Sequence, residues 1–191
     1  ILSFANCSSL ESINMSNSLK IIDWGSFYNC TSLTELNLPN SLQSIGERAF
    51  FNCSSLESIE IPDGIVVIPK YTFALCSALE SVILPDSITK IEMFAFLNCE
   101  SLSSIEIPAS VTSLDQEDLL FIGCNSLQSI IIDENNLIYK DDRNTQGDNI
   151  GRAILSKNGQ TFISYVAVGN SLSSYQIPDS ANWIRPGAFE M

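Results

Sequence analysis

The chain has 191 residues and no histidine. Histidine is the commonest general base and metal-ligating side chain near neutral pH. Sites of the Ser-His-Asp or Cys-His kind are therefore excluded. Basic residues are also few. Nine Lys and Arg stand against 22 Asp and Glu, and the formal charge is −13. Nucleic acids and anionic membranes are recognised by clustered cations that displace counterions. Here the basic residues are scattered singly, so neither is an expected partner. No apolar run exceeds a few residues, against the roughly 20 a helical membrane span needs.

What the sequence does have is a period. "FFNCSSLESIEIP" (Phe50–Pro62) is echoed at Phe27–Pro39, Phe73–Pro85 and Phe96–Pro108. Copies begin at Phe4, Phe27, Phe50, Phe73, Phe96 and Phe121, with intervals of 23, 23, 23, 23 and 25. A seventh "AF" stands at Ala188-Phe189, so seven of the ten Phe occupy one column. A catalytic motif occurs once, where the chemistry is, whereas a motif at fixed spacing is architecture. Repeats of this length signal a solenoid, in which each unit buries its apolar face against its neighbours.

In the second copy the apolar positions are Phe27, Cys30, Leu33, Leu36, Leu38, Leu42 and Ile45. Leu36 and Leu38 alternate with polar residues, which predicts a short strand with one buried face. Identical strands stacked at one repeat spacing run parallel, ~4.8 Å apart. Pro39, Pro62, Pro85, Pro108 and Pro178 close the strand, because Pro has no N–H for a ladder. Segments of the "ERAFFNC" type then turn the chain back, with one short helical or 3₁₀ turn expected. Both "ILSFANC" and "RPGAFEM" cut through the period, and the expectation is a piece of a longer array.

The pattern "IP..(I/L)..I...AF..C..L..I" is whole at Ile61, Pro62, Ile65, Ile68, Phe73, Cys76, Leu79 and Val82. It resembles the BspA-like leucine-rich repeats, the 23-residue bacterial-surface-antigen type. The match covers about residues 1–133 and 174–191. In place of the Asn or Cys usual after the strand in leucine-rich repeats stands Ser (Ser18, Ser41, Ser87, Ser110), and the Cys has moved to the returning turn. Both departures fit this subtype. The resemblance implies a leucine-rich-repeat solenoid, with a parallel sheet on one face and short helical or 3₁₀ turns on the other.

After Asp133 the period fails for about 40 residues. "AILSKNGQTFISY" (Ala153–Tyr165) reads as a hairpin with a type I′ turn at Asn158-Gly159. In that register Leu155 faces Phe162 and Ile154 faces Ile163. BspA-like arrays often carry such a hairpin. The expected organisation is repeats over 1–133, an acidic loop and hairpin over 134–173, and a resumed repeat over 174–191. The loop 134–149 is expected to be the least ordered part, being polar and outside the period.

Four groups of residues invite chemistry. Cys7, Cys30, Cys53, Cys76, Cys99 and Cys124 share one column. Their parallel Cβ vectors oppose the near-perpendicular disulfide dihedral, so buried free thiols are expected. Disulfides and a metal site are the alternatives, although no Cys-x-x-Cys exists. Asn6, Asn29, Asn52 and Asn14 lie in glycosylation sequons. The structural reading of those beside Cys is that Asn suits a tight corner. Asp142, Asn144, Gln146 and Gly147 imitate the start of an EF-hand loop, but Ala153 stands where the bidentate Glu belongs. Glu57, Glu60 and Glu80 gather carboxylates on one flat face, where solvated side chains are expected rather than an acid/base pair.

No catalytic residue, cofactor or metal is expected. The outward strand column is Asn14, Asn37, Glu60, Ile83, Glu106, Ile131 and Gln176. Within it Glu60, Ile83, Glu106, Ile131 and Gln176 are the candidate ligand-binding residues. The family resemblance implies a non-enzymatic protein-binding or adhesion module of a cell-surface or secreted protein. Its partner would be a protein, such as a host or neighbouring-cell surface molecule. A passive stalk is the alternative, and an enzyme whose active site lies elsewhere the third. The stalk predicts a uniformly polar strand face, while a binder predicts apolar interruptions.

Overall fold

The computed structural model describes residues 1–114, 120–143, 150–165, 174–186 and 188–189. Strands are numbered along the chain. One face of the solenoid carries β3 (Ser58–Glu60), β5 (Ser81–Ile83), β7 (Ser104–Ile107) and β9 (Ser129–Ile132). A second face carries two-residue strands: β1 (Ile21–Ile22), β2 (Ser44–Ile45), β4 (Val67–Ile68), β6 (Lys90–Ile91) and β8 (Ser113–Leu114). The pairings β3–β5, β7–β9, β1–β2 and β4–β6–β8 are parallel, as repeat spacing requires. A single Ser12↔Glu35 bridge extends the first face toward the N-terminus.

The third side of each coil is not helical. Among the described residues there is no helix. Instead, each of the first five corners holds two residues in the left-handed region, and Gly123 continues the second column. One column is Leu2, Gly25, Arg48, Tyr71 and Phe94, with φ between 56° and 60°. The other is Asn6, Asn29, Asn52, Leu75, Asn98 and Gly123, with φ between 56° and 73°. Alternate N–H groups leave the coil and bond the next one. Phe27 N donates to Ala49 O at 2.8 Å and Asn29 N to Phe51 O at 2.8 Å. A helix needs those same N–H groups internally. The Phe–Cys–Leu spacing of three suggests a helix, but stacking between coils claims the donors.

The core is a set of ladders between the faces. Phe4, Phe27, Phe50, Phe73, Phe96 and Phe121 stack with ring centroids 5.2 to 5.8 Å apart. All but Phe4 are buried, and full burial of such a ring is worth roughly 1.5–3 kcal/mol. Offset stacking adds ~0.5–1.5 kcal/mol per pair. Buried Leu and Ile columns, such as Leu33, Leu56, Leu79 and Leu102, run beside them.

The hairpin is present as β11 (Ala153–Ser156) and β12 (Thr161–Tyr165), flanked by β10 (Tyr139–Asp141) and β13 (Trp183–Ile184). Leu155 faces Phe162 as expected, but Ile154 pairs with Ser164 rather than Ile163, because the register shifts between Ile154 and Leu155. The turn differs too. Gly159 N donates to Ser156 O at 2.7 Å. Gly159 has φ +74°, while Asn158 is not left-handed. This is a turn over Lys157-Asn158 followed by a left-handed glycine, not type I′. Ser156 Oγ and Asn158 Oδ1 bond across it at 2.7 Å, and Asn158 Oδ1 also accepts Gln160 N at 3.0 Å. β12 then pairs in parallel with β13, which belongs to the resumed repeat.

Candidate functional site: the exposed strand face

Alternation along each strand decides what faces solvent. In β3 the order Ser58, Ile59, Glu60 is exposed, buried, exposed. Register carries this from coil to coil: Ser58↔Ser81, Ile59↔Val82 and Glu60↔Ile83, then Ser104↔Ser129, Ile105↔Ile130 and Glu106↔Ile131. Asn14, Asn37, Glu60, Ile83, Glu106 and Ile131 are all exposed. Ile83 is 59% exposed and Ile131 is 36% exposed, so apolar side chains interrupt the polar face. Gln176 is exposed as well, but residues 174–178 form no strand. The hairpin breaks the stack, and Ile130 N donates instead to Gly151 O at 2.8 Å. Gln176 is therefore not in register with Ile131. A groove of about 640 Å³ crosses the face, walled by Glu35, Asn37, Ser58, Glu60, Ser81 and Ile83.

The remaining singled-out residues are structural. The six cysteines are free. Five are buried and Cys7 is exposed. Each buried thiol does more than fill space. Cys30, Cys53, Cys76, Cys99 and Cys124 donate S–H to the carbonyls of Phe4, Phe27, Phe50, Phe73 and Phe96, at 3.1 to 3.2 Å. Burial pushes the Cys30 thiol up to about 11 and the Cys76 thiol up to about 12. The Cys53 and Cys99 thiols are also raised by burial. Such thiols are inert rather than nucleophilic.

The asparagines beside Cys hold left-handed corners, as their backbone tolerance suggested. Their amides form a ladder: Asn29 Nδ2 donates to Asn6 Oδ1 at 3.0 Å, and Asn52 Nδ2 to Asn29 Oδ1 at 2.9 Å. The serines after the strand bridge coils too. Ser41, Ser87 and Ser110 donate Oγ–H to Leu19, Ile65 and Ile88 carbonyls at 2.6 to 2.7 Å. Gly64 replaces this serine once, where a Cβ would sit 2.0 Å from Leu42 O.

Asp142 is buried, 1% exposed. Its carboxylate accepts from Ala153 N at 2.8 Å, from Arg152 N, and from the Tyr175 hydroxyl at 2.6 Å. Burial, then this bond, raises the Tyr175 hydroxyl pKa. Asp142 thus ties the hairpin to the resumed repeat, and its oxygens are taken by the protein. Asn144, Gln146 and Gly147 lie outside the described residues. The expectation of a loose loop over 134–149 does not hold at Asn136, which is fully buried. Its side chain donates to Pro108 O and Val111 O and accepts from Ile138 N and Tyr139 N. Nothing in sequence periodicity signals this plug.

Six copies of the BspA type leucine rich repeat region match the chain, over residues 2–120 and 67–191. The chain belongs to the BspA-type leucine-rich repeat proteins. A leucine rich cell surface protein of Faecalibacterium prausnitzii is similar over 97% of this chain, at 29% identity and a TM-score of 0.77. The chain spans about half of that protein, 53%. A leucine rich repeat protein of T. pallidum is 34% identical over 69% of this chain and 62% of its own, with a TM-score of 0.65. The pneumococcal vaccine antigen PcpA shares the fold at 22% identity and a TM-score of 0.71, over 94% of this chain and 42% of its own. No curated protein matches significantly. This BspA-type array stands among leucine-rich repeat proteins. No helix among its described residues is long and apolar enough to cross a membrane.

Proposed function

We propose that this chain is a protein-binding module of a surface-displayed or secreted protein, and that its partner docks on the exposed strand face. The observation that carries this reading is the exposure of Ile83 and Ile131 on that face, either side of Glu106. A stalk needs only a solvated surface. Two apolar side chains two strands apart, roughly 10 Å, present anchors that a partner can desolvate. Surface display is supported by the family and by the cell-surface protein of Faecalibacterium prausnitzii.

A screen of the chain against an array of extracellular proteins tests the reading. Partners retested with Ile83→Asp are expected to bind about tenfold more weakly, because a charge replaces an anchor. Undiminished binding of every partner by Ile83→Asp contradicts it.

A further inference from the structure

We infer that the strand face receives a cationic protein segment, one that sets Lys or Arg side chains against the carboxylates around Ile83. The inference rests on the face being the binding surface, and adds the chemistry of what binds there.

The basic residues of the repeats avoid the strand face of this solenoid. Glu11, Glu35, Glu57, Glu60, Glu80 and Glu106 all lie along the strand face, and all are exposed. Glu80 N donates to Glu57 O at 2.8 Å, which places these two glutamates on neighbouring rungs. Two like charges one strand spacing apart, ~4.8 Å, lie well inside the screening length of physiological salt. The repeat cations are elsewhere. Lys90 is in β6 and Lys20 directly precedes β1, both on the second face. Arg48 opens a corner and is paired with Glu47. Lys70 begins the next corner, where Lys70 O accepts Arg48 N. Among the described residues, ion pairs also join the Ile1 amino group to Asp23, Lys90 to Glu92 and Arg143 to Asp141. None includes a strand-face glutamate. At the hairpin end Arg143 is held by Asp141 and by Ile132 O, and its pKa is raised chiefly by the bond to Asp141, with Glu134 and Glu106 adding to it. Glu11, Glu35, Glu57, Glu60 and Glu80 are left facing solvent.

The groove coincides with this stretch. Glu35 and Glu60 stand in its walls together with Asn37 and Ile83. Carboxylates beside an exposed isoleucine suit a Lys or Arg side chain, whose aliphatic stem covers apolar surface while its head reaches the acid. A bare metal ion would leave Ile83 uncovered. Among the described residues no group of acidic or thiol side chains is placed to hold one. Complementary charge across such a face also speeds encounter and rejects acidic partners.

The test uses the whole chain and two synthetic peptides, Arg-Leu-Arg-Ser-Arg-Leu-Arg-Ser and its counterpart with Glu for Arg. Two variants carry the same net charge: Glu57→Gln/Glu60→Gln/Glu80→Gln on the face, and Asp23→Asn/Glu47→Gln/Glu92→Gln, which follow the strands of the second face. A third is Ile83→Ser. The basic peptide is expected to bind, the acidic one not. Binding should fall about tenfold in the face variant and less than about twofold in its charge-matched control. If Ile83→Ser weakens the peptide but the face variant does not, the strand face stands and the cationic segment falls. If the two triple variants lose binding equally, the attraction is merely to net charge and the inference is overturned. Absence of any preference for the basic peptide overturns it as well. If neither Ile83→Ser nor the face variant matters, the strand-face reading falls with it.

Discussion

The Phe50 carbonyl accepts the S–H of Cys76, one coil away, at 3.1 Å, and the N–H of Cys53, in its own coil, at 3.2 Å. Both lone pairs of a buried carbonyl are thereby used. The arrangement repeats wherever Phe and Cys do, which gives the cysteine column a physical cause. A valine of similar size would fill the space and leave an acceptor half satisfied. Cys76→Val should therefore destabilise the array by about 1 kcal/mol, read from denaturant unfolding. An unchanged midpoint would reduce the thiol to a space-filler.

The same burial makes a prediction about pH. A thiol whose folded pKa exceeds its unfolded value keeps the native state holding more protons above that value. For Cys76 the ordinary value is 9.0 and the folded value about 12. Its stabilising contribution is complete below pH 9 and is lost as pH rises from 9 toward 12. Melting temperature should drop through that window, and less steeply in Cys76→Ala. A thiol reagent at neutral pH should label Cys7 first and the other five only on denaturation. Equal labelling of all six would contradict the ladder.

The corner ladder predicts a stabilising substitution. Leu75 sits at φ 64° between Asn52 and Asn98, both also left-handed. Asn is at ease there, whereas Leu is strained. Leu75→Asn also supplies the missing rung of the amide ladder, and should raise stability by about 1 kcal/mol. Gly123→Ala should do the reverse. It forces a Cβ into the left-handed region at φ +73°, 1.9 Å from Asn98 Oδ1. A lower melting temperature for Leu75→Asn would mean that Leu75 packing outweighs the ladder.

Register separates fold from function at two adjacent residues. Ile83 points outward, while Leu84 is half-buried against the core. Ile83→Asp should leave melting nearly unchanged. Leu84→Asp desolvates a charge and should cost about 1–3 kcal/mol. The opposite order of damage would mean that the faces are exchanged, which a slip of one residue achieves.

At the insertion, Tyr175→Phe removes the hydroxyl that reaches Asp142 across 33 residues of chain. The expected loss is about 1–2 kcal/mol, since a buried carboxylate then lacks a donor. Hydrogen exchange should quicken at Arg152 and Ala153, whose amides share that carboxylate. Unchanged exchange at both would detach Tyr175 from the hairpin.

How much of this could be read in the sequence follows from what repeats. The strand register, the Phe column and the outward set from Asn14 to Ile131 were legible, because seven phenylalanines fix the phase. The corners were not. Arg48, Tyr71 and Phe94 carry no side-chain signal for the left-handed backbone they adopt. Their conformation is set by bonds to the next coil, which a single period does not display. The hairpin register was half legible. Leu155 opposite Phe162 follows from apolar matching, but the shift at Ile154 depends on a turn closed through Ser156 and Gly159. Sequence spacing identified Asp142 as a carboxylate in a loop but did not show that it is buried.

Oxidative footprinting tests the central claim most directly, because it reads which exposed side chains a partner covers. The chain would be labelled free and in complex with a partner taken from the extracellular array. Ile83 and Ile131 report on the strand face, and Ile21 and Val66, 59% and 49% exposed, on the second face. The account predicts protection at Ile83 and Ile131, with Ile21 and Val66 labelled as in the free chain. Protection of Ile21 and Val66, with Ile83 and Ile131 still fully labelled, would contradict it.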